Sequence, residues 1–147
     1  MGKRRWEELG KYILLTNFPN YVDLFSQILG AEKRQFTWNV AHAPAEDLSI
    51  INFSIGSPMA GMVMDVLTYT DPTAVLMLGL CGGLDDDLEL GDYIVPTASI
   101  RDEGTSGHYL NPDVPALPSL AINNWVCRYL AEQNVPFHTG IMKTTDF

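Results

Sequence analysis

Three clusters of residues in this 147-residue chain have the types and spacing to hold a small polar ligand. The first is Gly56-Ser57-Pro58, which follows the apolar run Leu48 to Phe53 after Ser54-Ile55. A serine that can cap and a proline suited to the first helical position predict a helix there, with Ser57 as its N-cap. Unpaired amides and the positive end of a helix dipole suit such a turn to an anion, and equally it serves as a plain strand-to-helix connection. The second cluster is Gly79-Leu80-Cys81-Gly82-Gly83, after the apolar run Ala74 to Leu78. Glycines let the backbone approach a flat ligand closely, and ligands of α/β sheets gather at the carboxyl ends of strands. The cluster lacks the Lys-Ser/Thr ending of a P-loop and does not match the dinucleotide fingerprint. Cys81 has no activating neighbour in the sequence and reads as a buried structural thiol.

The third cluster is Arg101-Asp102-Glu103-Gly104-Thr105-Ser106, with His108, read as a polar loop after a strand. A guanidinium, carboxylates and hydroxyls together can grip a ribose or a phosphate. The same inventory also makes a surface loop closed by an internal Arg–carboxylate pair. His108 reads as a solvated loop histidine, Asp65 as a helix-surface residue, Asp92 as a turn cap, and Asp85-Asp86-Asp87 as a solvated turn. His42, His108 and His138 are far apart without metal-ligand spacing, so no metal is expected, and no cofactor either. A Gly-x-Ser-x-Gly nucleophile elbow is absent from the sequence.

Elements that would position these clusters are legible in the apolar periodicity. Tyr12 to Thr16 predicts a buried strand, and Asn17-Phe18-Pro19-Asn20 a turn. Tyr21, Leu24, Phe25, Ile28 and Leu29 mark one face of a helix that Gly30 ends. Leu48 to Phe53 is a second strand. The helix after Pro58 should bury Met59, Val63, Val66 and Leu67 and stop at Asp71-Pro72. Ala74 to Leu78 is a third strand, and Tyr93-Ile94-Val95 a fourth that ends at Pro96. Leu120 to Gln133 is helical, and Phe137 to Met142 is a strand broken by Gly140. Alternating strands and helices predict an α/β fold with parallel pairs.

Length bounds the chain to one domain with a real core. The hydrophobic fraction of 46% and charged fraction of 18% are ordinary for a globular protein. A net charge of −9 argues against a partner that is nucleic acid, since such proteins need basic stripes. Cys81 and Cys127 make neither a disulfide framework nor a zinc quartet. Lys3-Arg4-Arg5 is not followed by the apolar stretch of a signal peptide, and no apolar run could span a bilayer. The expectation is a cytoplasmic protein without a membrane partner.

Taken in order, these segments resemble the nucleoside phosphorylase and nucleosidase superfamily. The resemblance is carried by Ile55-Gly56-Ser57-Pro58, by Leu78-Gly79-Leu80-Cys81-Gly82-Gly83-Leu84 and by Leu90-Gly91-Asp92-Tyr93-Ile94-Val95. It continues through Thr97 to Ser106 and ends in Thr139-Gly140-Ile141 with Thr144-Thr145-Asp146. Within the superfamily, Tyr12 to Phe18 and Asp113-Val114-Pro115-Ala116-Leu117-Pro118 look like the AMP nucleosidases, above all those without a regulatory domain.

The resemblance implies a phosphorylase/hydrolase-like mixed sheet flanked by helices, with residues 1–147 as the N-terminal part of a single catalytic domain. It implies hydrolysis of AMP to adenine and ribose 5-phosphate, with purine or uridine nucleoside phosphorylase and a non-catalytic nucleotide-binding module as the alternatives. Superfamily phosphorylases hold phosphate partly with an arginine two residues before the glycine matching Gly79; here Met77 stands there, which favours water as the nucleophile. By the same resemblance Cys81, Gly82 and Gly83 border the base and ribose, and Gly56 and Ser57 the sugar or phosphate end. Arg101, Thr105 and Ser106 would hold the 5′-phosphate, and Thr144 and Thr145 the base side. Superfamily catalysis relies on a Met-Glu motif and a purine-protonating aspartate expected in a missing C-terminal half, so these residues alone are expected to be inactive. A homo-oligomer is expected.

Overall fold

The computed structural model describes residues 9–35 and 37–146, and the chain divides into two compact units, Met1–Leu80 and Cys81–Phe147. In the first unit, β1 (Tyr12–Thr16) leads into α1 (Pro19–Leu29), then β2 (Glu32–Gln35) and β3 (Asn39–Ala43). A 3₁₀ turn (Pro44–Glu46) precedes β4 (Leu48–Asn52), α2 (Ser57–Leu67) and β5 (Ala74–Met77). The five strands form one mixed sheet in the order β2-β3-β4-β1-β5. β1 runs parallel to β4 and β5, whereas β3 is antiparallel to β2 and β4.

Alternation along the strands divides the apolar side chains between two faces. Ile13 and Leu15 of β1, Val40 of β3 and Ile51 of β4 face one way and pack with Val63 and Leu67 of α2. Ile50 of β4 and Ala41 and Ala43 of β3 face the other way, against Val22 and Phe25 of α1. Met59 and Val66 join the α2 side as partly buried residues, as the periodicity requires. Gly30 closes α1 at φ 61°, a left-handed conformation in which glycine carries no steric cost.

Four boundaries differ from the sequence expectation. The polar stretch after α1 contains the β2–β3 hairpin, which no apolar pattern announces. Helix α2 has Gly56 at its N-cap position, with Ser57 and Pro58 already inside the first turn and no side chain capping it.

The other two lie in the second unit, where β6 (Tyr93–Asp102) and β7 (Phe137–Thr145) pair in parallel around α3 (Leu120–Glu132). β6 does not end at Pro96; the register shifts between Pro96 and Ala98, and such a slip accommodates a residue without an N–H. Arg101 and Asp102 therefore belong to the strand rather than to a loop. β7 likewise runs through Gly140, so Thr144 and Thr145 are paired strand residues opposite Arg101 and Asp102. Ser119 caps α3, its Oγ accepting from the Ile122 amide at 3.5 Å, and Asn123 Nδ2 ties the helix to the Pro96 carbonyl at 2.6 Å.

Candidate functional site

In the first unit the carboxyl ends of β1, β4 and β5 lie side by side, with Thr16 level with Asn52 and Leu15 with Met77. The segment after β1 enters α1 on one face of the sheet, and the segment after β4 enters α2 on the other. Adjacent parallel strands whose connections leave in opposite directions open a crevice at their carboxyl ends, the usual ligand position in open α/β sheets. Gly56 and Ser57 sit at its α2 side.

Main-chain bonds prolong the strands into this edge. The Phe53 amide donates to the Thr16 carbonyl at 3.0 Å, and the Leu78 amide to the Leu15 carbonyl at 2.8 Å. The turn into α2 is held in unusual conformations: Ser54 has φ 73° and Gly56 has φ 92°, ψ 152°. Gly56 occupies a region that is close to exclusive to glycine. Its carbonyl accepts the first ladder bond, from Ala60 at 3.2 Å. The amides of Ser57 and Met59 precede that bond and have no partner within the helix, and α2 has no acidic residue in its first turn.

Polar side chains of this edge are mostly committed locally. Thr16 Oγ1 accepts from the Phe18 amide at 3.2 Å, and Asn52 Oδ1 from the Ser54 amide at 2.9 Å. Asn17 Oδ1 is buried without a partner. Gly79 lies beside it: a Cβ on Gly79 would stand 3.6 Å from that oxygen and 3.4 Å from Met77 Cε. Met77, last residue of β5, is 60% exposed.

In the second unit Cys81, Gly82 and Gly83 are exposed, which corrects the expectation of a buried thiol. The thiol leads an extended segment with little packing around it: a Cβ on Gly82 would meet nothing within 4 Å. A Cβ on Gly83 would meet Leu88 at 3.2 Å.

The structure does bring Arg101, Thr105, Ser106 and Thr144 together. Arg101 Nη1 donates to the Ser106 carbonyl at 3.3 Å and the Leu110 carbonyl at 3.4 Å, and Nη2 to the Asn111 carbonyl. The Glu103 carboxylate accepts from the Thr105 amide at 2.8 Å and the Ser106 amide at 3.1 Å. Asp146 Oδ2 accepts from the Gly104 amide at 3.0 Å, and Lys143 pairs with Asp102 at 2.6 Å. Ser99 Oγ and Thr144 Oγ1 lie 3.4 Å apart across β6 and β7. The guanidinium thus faces carbonyl oxygens, and the two loop amides face a carboxylate; an external anion has to displace Glu103 to reach them.

Other readings fall where the sequence put them. His108 is an exposed residue on a short 3₁₀ turn, and Asp65 is exposed on α2. Asp92 Oδ2 accepts from the Glu89 amide at 2.9 Å, and Asp85 Oδ1 from the Asp87 amide at 3.1 Å. Asp92 also lies 3.3 Å from His138 Nε2, a pairing 46 residues apart that spacing alone does not disclose.

Comparison with known proteins agrees with this architecture. A family model described as "Phosphorylase superfamily" matches residues 11–147, and the chain belongs to that superfamily. It is 34% identical over 138 residues to a guanosine phosphorylase of Halorubrum lacusprofundi, covering 90% of this chain and 57% of that protein. It is 24% identical over 144 residues to a uridine phosphorylase of Thermococcus kodakarensis, covering 95% and 52%. Among solved structures, an AMP nucleosidase from Bacteroides thetaiotaomicron superposes with a TM-score of 0.91 at 38% identity, covering 95% of this chain and 61% of that one. The chain spans between half and two thirds of the length of these relatives. Its mixed sheet flanked by helices is the nucleoside phosphorylase fold. No helix among the described residues is long and apolar enough to cross a membrane.

Proposed function

We propose that the chain forms part of an enzyme that hydrolyses the N-glycosidic bond of AMP, giving adenine and ribose 5-phosphate. The observation that carries the proposal is Met77. It ends β5 beside Gly79, with its side chain 60% exposed at the carboxyl edge of the sheet. A thioether cannot pair with a phosphate dianion, and an anion lodged there without a cation bears an uncompensated desolvation cost. Water needs no such clamp. The 38% identity to an AMP nucleosidase of the same fold supports the same reading.

In this scheme C1′ becomes oxocarbenium-like as the bond to adenine N9 stretches. Adenine leaves with a proton, because its anion is a poor leaving group. Water adds to C1′. The open amides at the start of α2 offer partial positive charge to the sugar-phosphate end of the substrate.

A second reading has its own support. The match to guanosine phosphorylase extends over 138 residues at 34% identity, which favours a purine nucleoside phosphorylase. Calorimetry separates the two readings. The hydrolase should bind AMP and ribose 5-phosphate with an affinity that added inorganic phosphate leaves alone. A phosphorylase should bind guanosine or adenosine more tightly once phosphate is present, and product analysis should then find ribose 1-phosphate. Synergy between nucleoside and phosphate defeats the hydrolase proposal.

A further inference from the structure

Helix α2 packs Val63 and Leu67 onto the sheet, and its opposite face is turned to solvent. That face reads Pro58, Gly61, Met62 and Asp65, at i, i+3, i+4 and i+7. Tyr69 stands one turn further on, where Thr68 prolongs the helical conformation. Met62 is 52% and Tyr69 81% exposed, and Asp65 is the one charged residue of the helix. A helix that is apolar on every side is ordinarily covered on every side. The solvent face of α1 differs, for Asn20, Asp23 and Gln27 keep it wetted. Gly61 points the same way: glycine weakens a helix relative to alanine, and it is useful where another backbone comes close.

Charge and symmetry indicate the occupant. The chain carries a net charge of −9, so two copies repel each other least where carboxylates are sparse, as they are on this face. Its four positions are also symmetric about the midpoint between Gly61 and Met62. A two-fold axis there runs two helices antiparallel and sets Met62 of each copy over the partner's Gly61. Asp65 then meets the first turn of the partner's helix at Pro58. That turn is the positive end of the helix dipole and holds no acidic residue of its own. Pro58 has no N–H, so the contact leaves the open amides of Ser57 and Met59 to the crevice. The two Asp65 residues lie about 10 Å apart along the axis, far enough to be largely screened.

We propose that the outer face of α2 is the surface through which two copies of this chain pair, antiparallel about Gly61 and Met62. The half-cylinder that α2 turns outward is about 16 Å long and 10–12 Å across. With the Tyr69 ring it offers roughly 400–500 Å² per copy, which is the size of a transient contact rather than a permanent one. The dissociation constant is therefore on the order of 10 µM.

Sedimentation velocity of the 147-residue chain, at concentrations on both sides of that value, tests the pairing. A monomer–dimer equilibrium is expected. Met62→Glu should weaken it at least about tenfold, and Met62→Leu should leave it within about threefold. Cross-linking then tests the geometry, in a chain with Cys81 and Cys127 changed to serine and one cysteine introduced. Met62→Cys should form a covalent dimer in air with a copper catalyst, two thiols passing their electrons and protons to oxygen. Packed helices about 8–10 Å apart bring these two positions within disulfide reach. Met64→Cys, at a position 44% exposed but about 200° round the helix, should stay monomeric. A monomer at every concentration overturns the proposal. So does a dimer that Met62→Glu leaves intact, or equal cross-linking through Met64→Cys.

Discussion

Replacing Arg101 by glutamine asks whether its guanidinium pins a loop or grips a ligand. The side chain donates to three main-chain carbonyls, those of Ser106, Leu110 and Asn111, and two of these bonds are long, at 3.3 and 3.4 Å. Hydrogen bonds from charged donors contribute about 1.5–3 kcal/mol each when well formed. Here Leu110 and Asn111 are exposed, so water re-solvates their carbonyls once the arginine is gone. The lower range of about 0.5–1 kcal/mol per bond is therefore appropriate, or about 1.5–3 kcal/mol for the set. At about 1.4 kcal/mol per decade, the segment 103–111 should open about ten to a hundred times more often.

Hydrogen exchange read by mass spectrometry reports that opening. The amides to follow are Tyr109 and Leu110, which donate to the Ser106 carbonyl, and Val114, which donates to that of Asn111. Exchange in this segment should accelerate, while peptides from β1 and β4 keep their rates. Unchanged exchange with lost affinity for ribose 5-phosphate would refute the reasoning, since Arg101 would then be spending its charge on the ligand.

Two further substitutions test the frame that carries the site. Gly10→Ala should destabilise the first unit by at least about 3 kcal/mol, because its Cβ would lie 2.1 Å from the Asp47 carbonyl oxygen and 2.6 Å from the Leu48 nitrogen; a thermal melt within a few degrees of wild type contradicts this. Ile51→Ala removes a side chain with 0% exposure between β4 and α2 and should cost about 2–5 kcal/mol in urea unfolding, against about 0.5–1.5 for Ile51→Val. A loss below about 1 kcal/mol for the alanine variant would mean that this core is not packed as described.

Elements whose side chains alternate or recur at helical spacing were legible from residue types alone: β1, α1, β4, α2, β5 and α3. β2 was not, because Glu32-Lys33-Arg34-Gln35 has no apolar face; main-chain pairing with β3 holds it, and pairing leaves no mark in composition. Pro96 and Gly140 misled for a related reason. They are residues that ordinarily interrupt a strand, yet they sit opposite each other where the β6–β7 register slips. The candidate site followed the same rule. Gly56 and Gly79 stood out as candidates because glycine after an apolar run marks the end of a strand. The engagement of Arg101 with carbonyls and of Glu103 with amides depends on how the chain returns on itself, which neighbouring letters do not encode.

The two rims of the five-stranded sheet are not alike. One rim is β2, whose four residues are polar or charged and whose Lys33 and Arg34 are engaged with Asp23 and Glu32. The other is β5, written Ala74-Val75-Leu76-Met77. A stray strand that tried to dock along β2 would have to bring its backbone past a fence of hydrated charges, which is how natural sheets discourage fibril growth. None of the four residues of β5 carries a charge. Removing the charges of Lys33 and Arg34 together should therefore raise the tendency of the protein to clump on heating, read as light scattering, and an unchanged onset would show that this rim is guarded some other way.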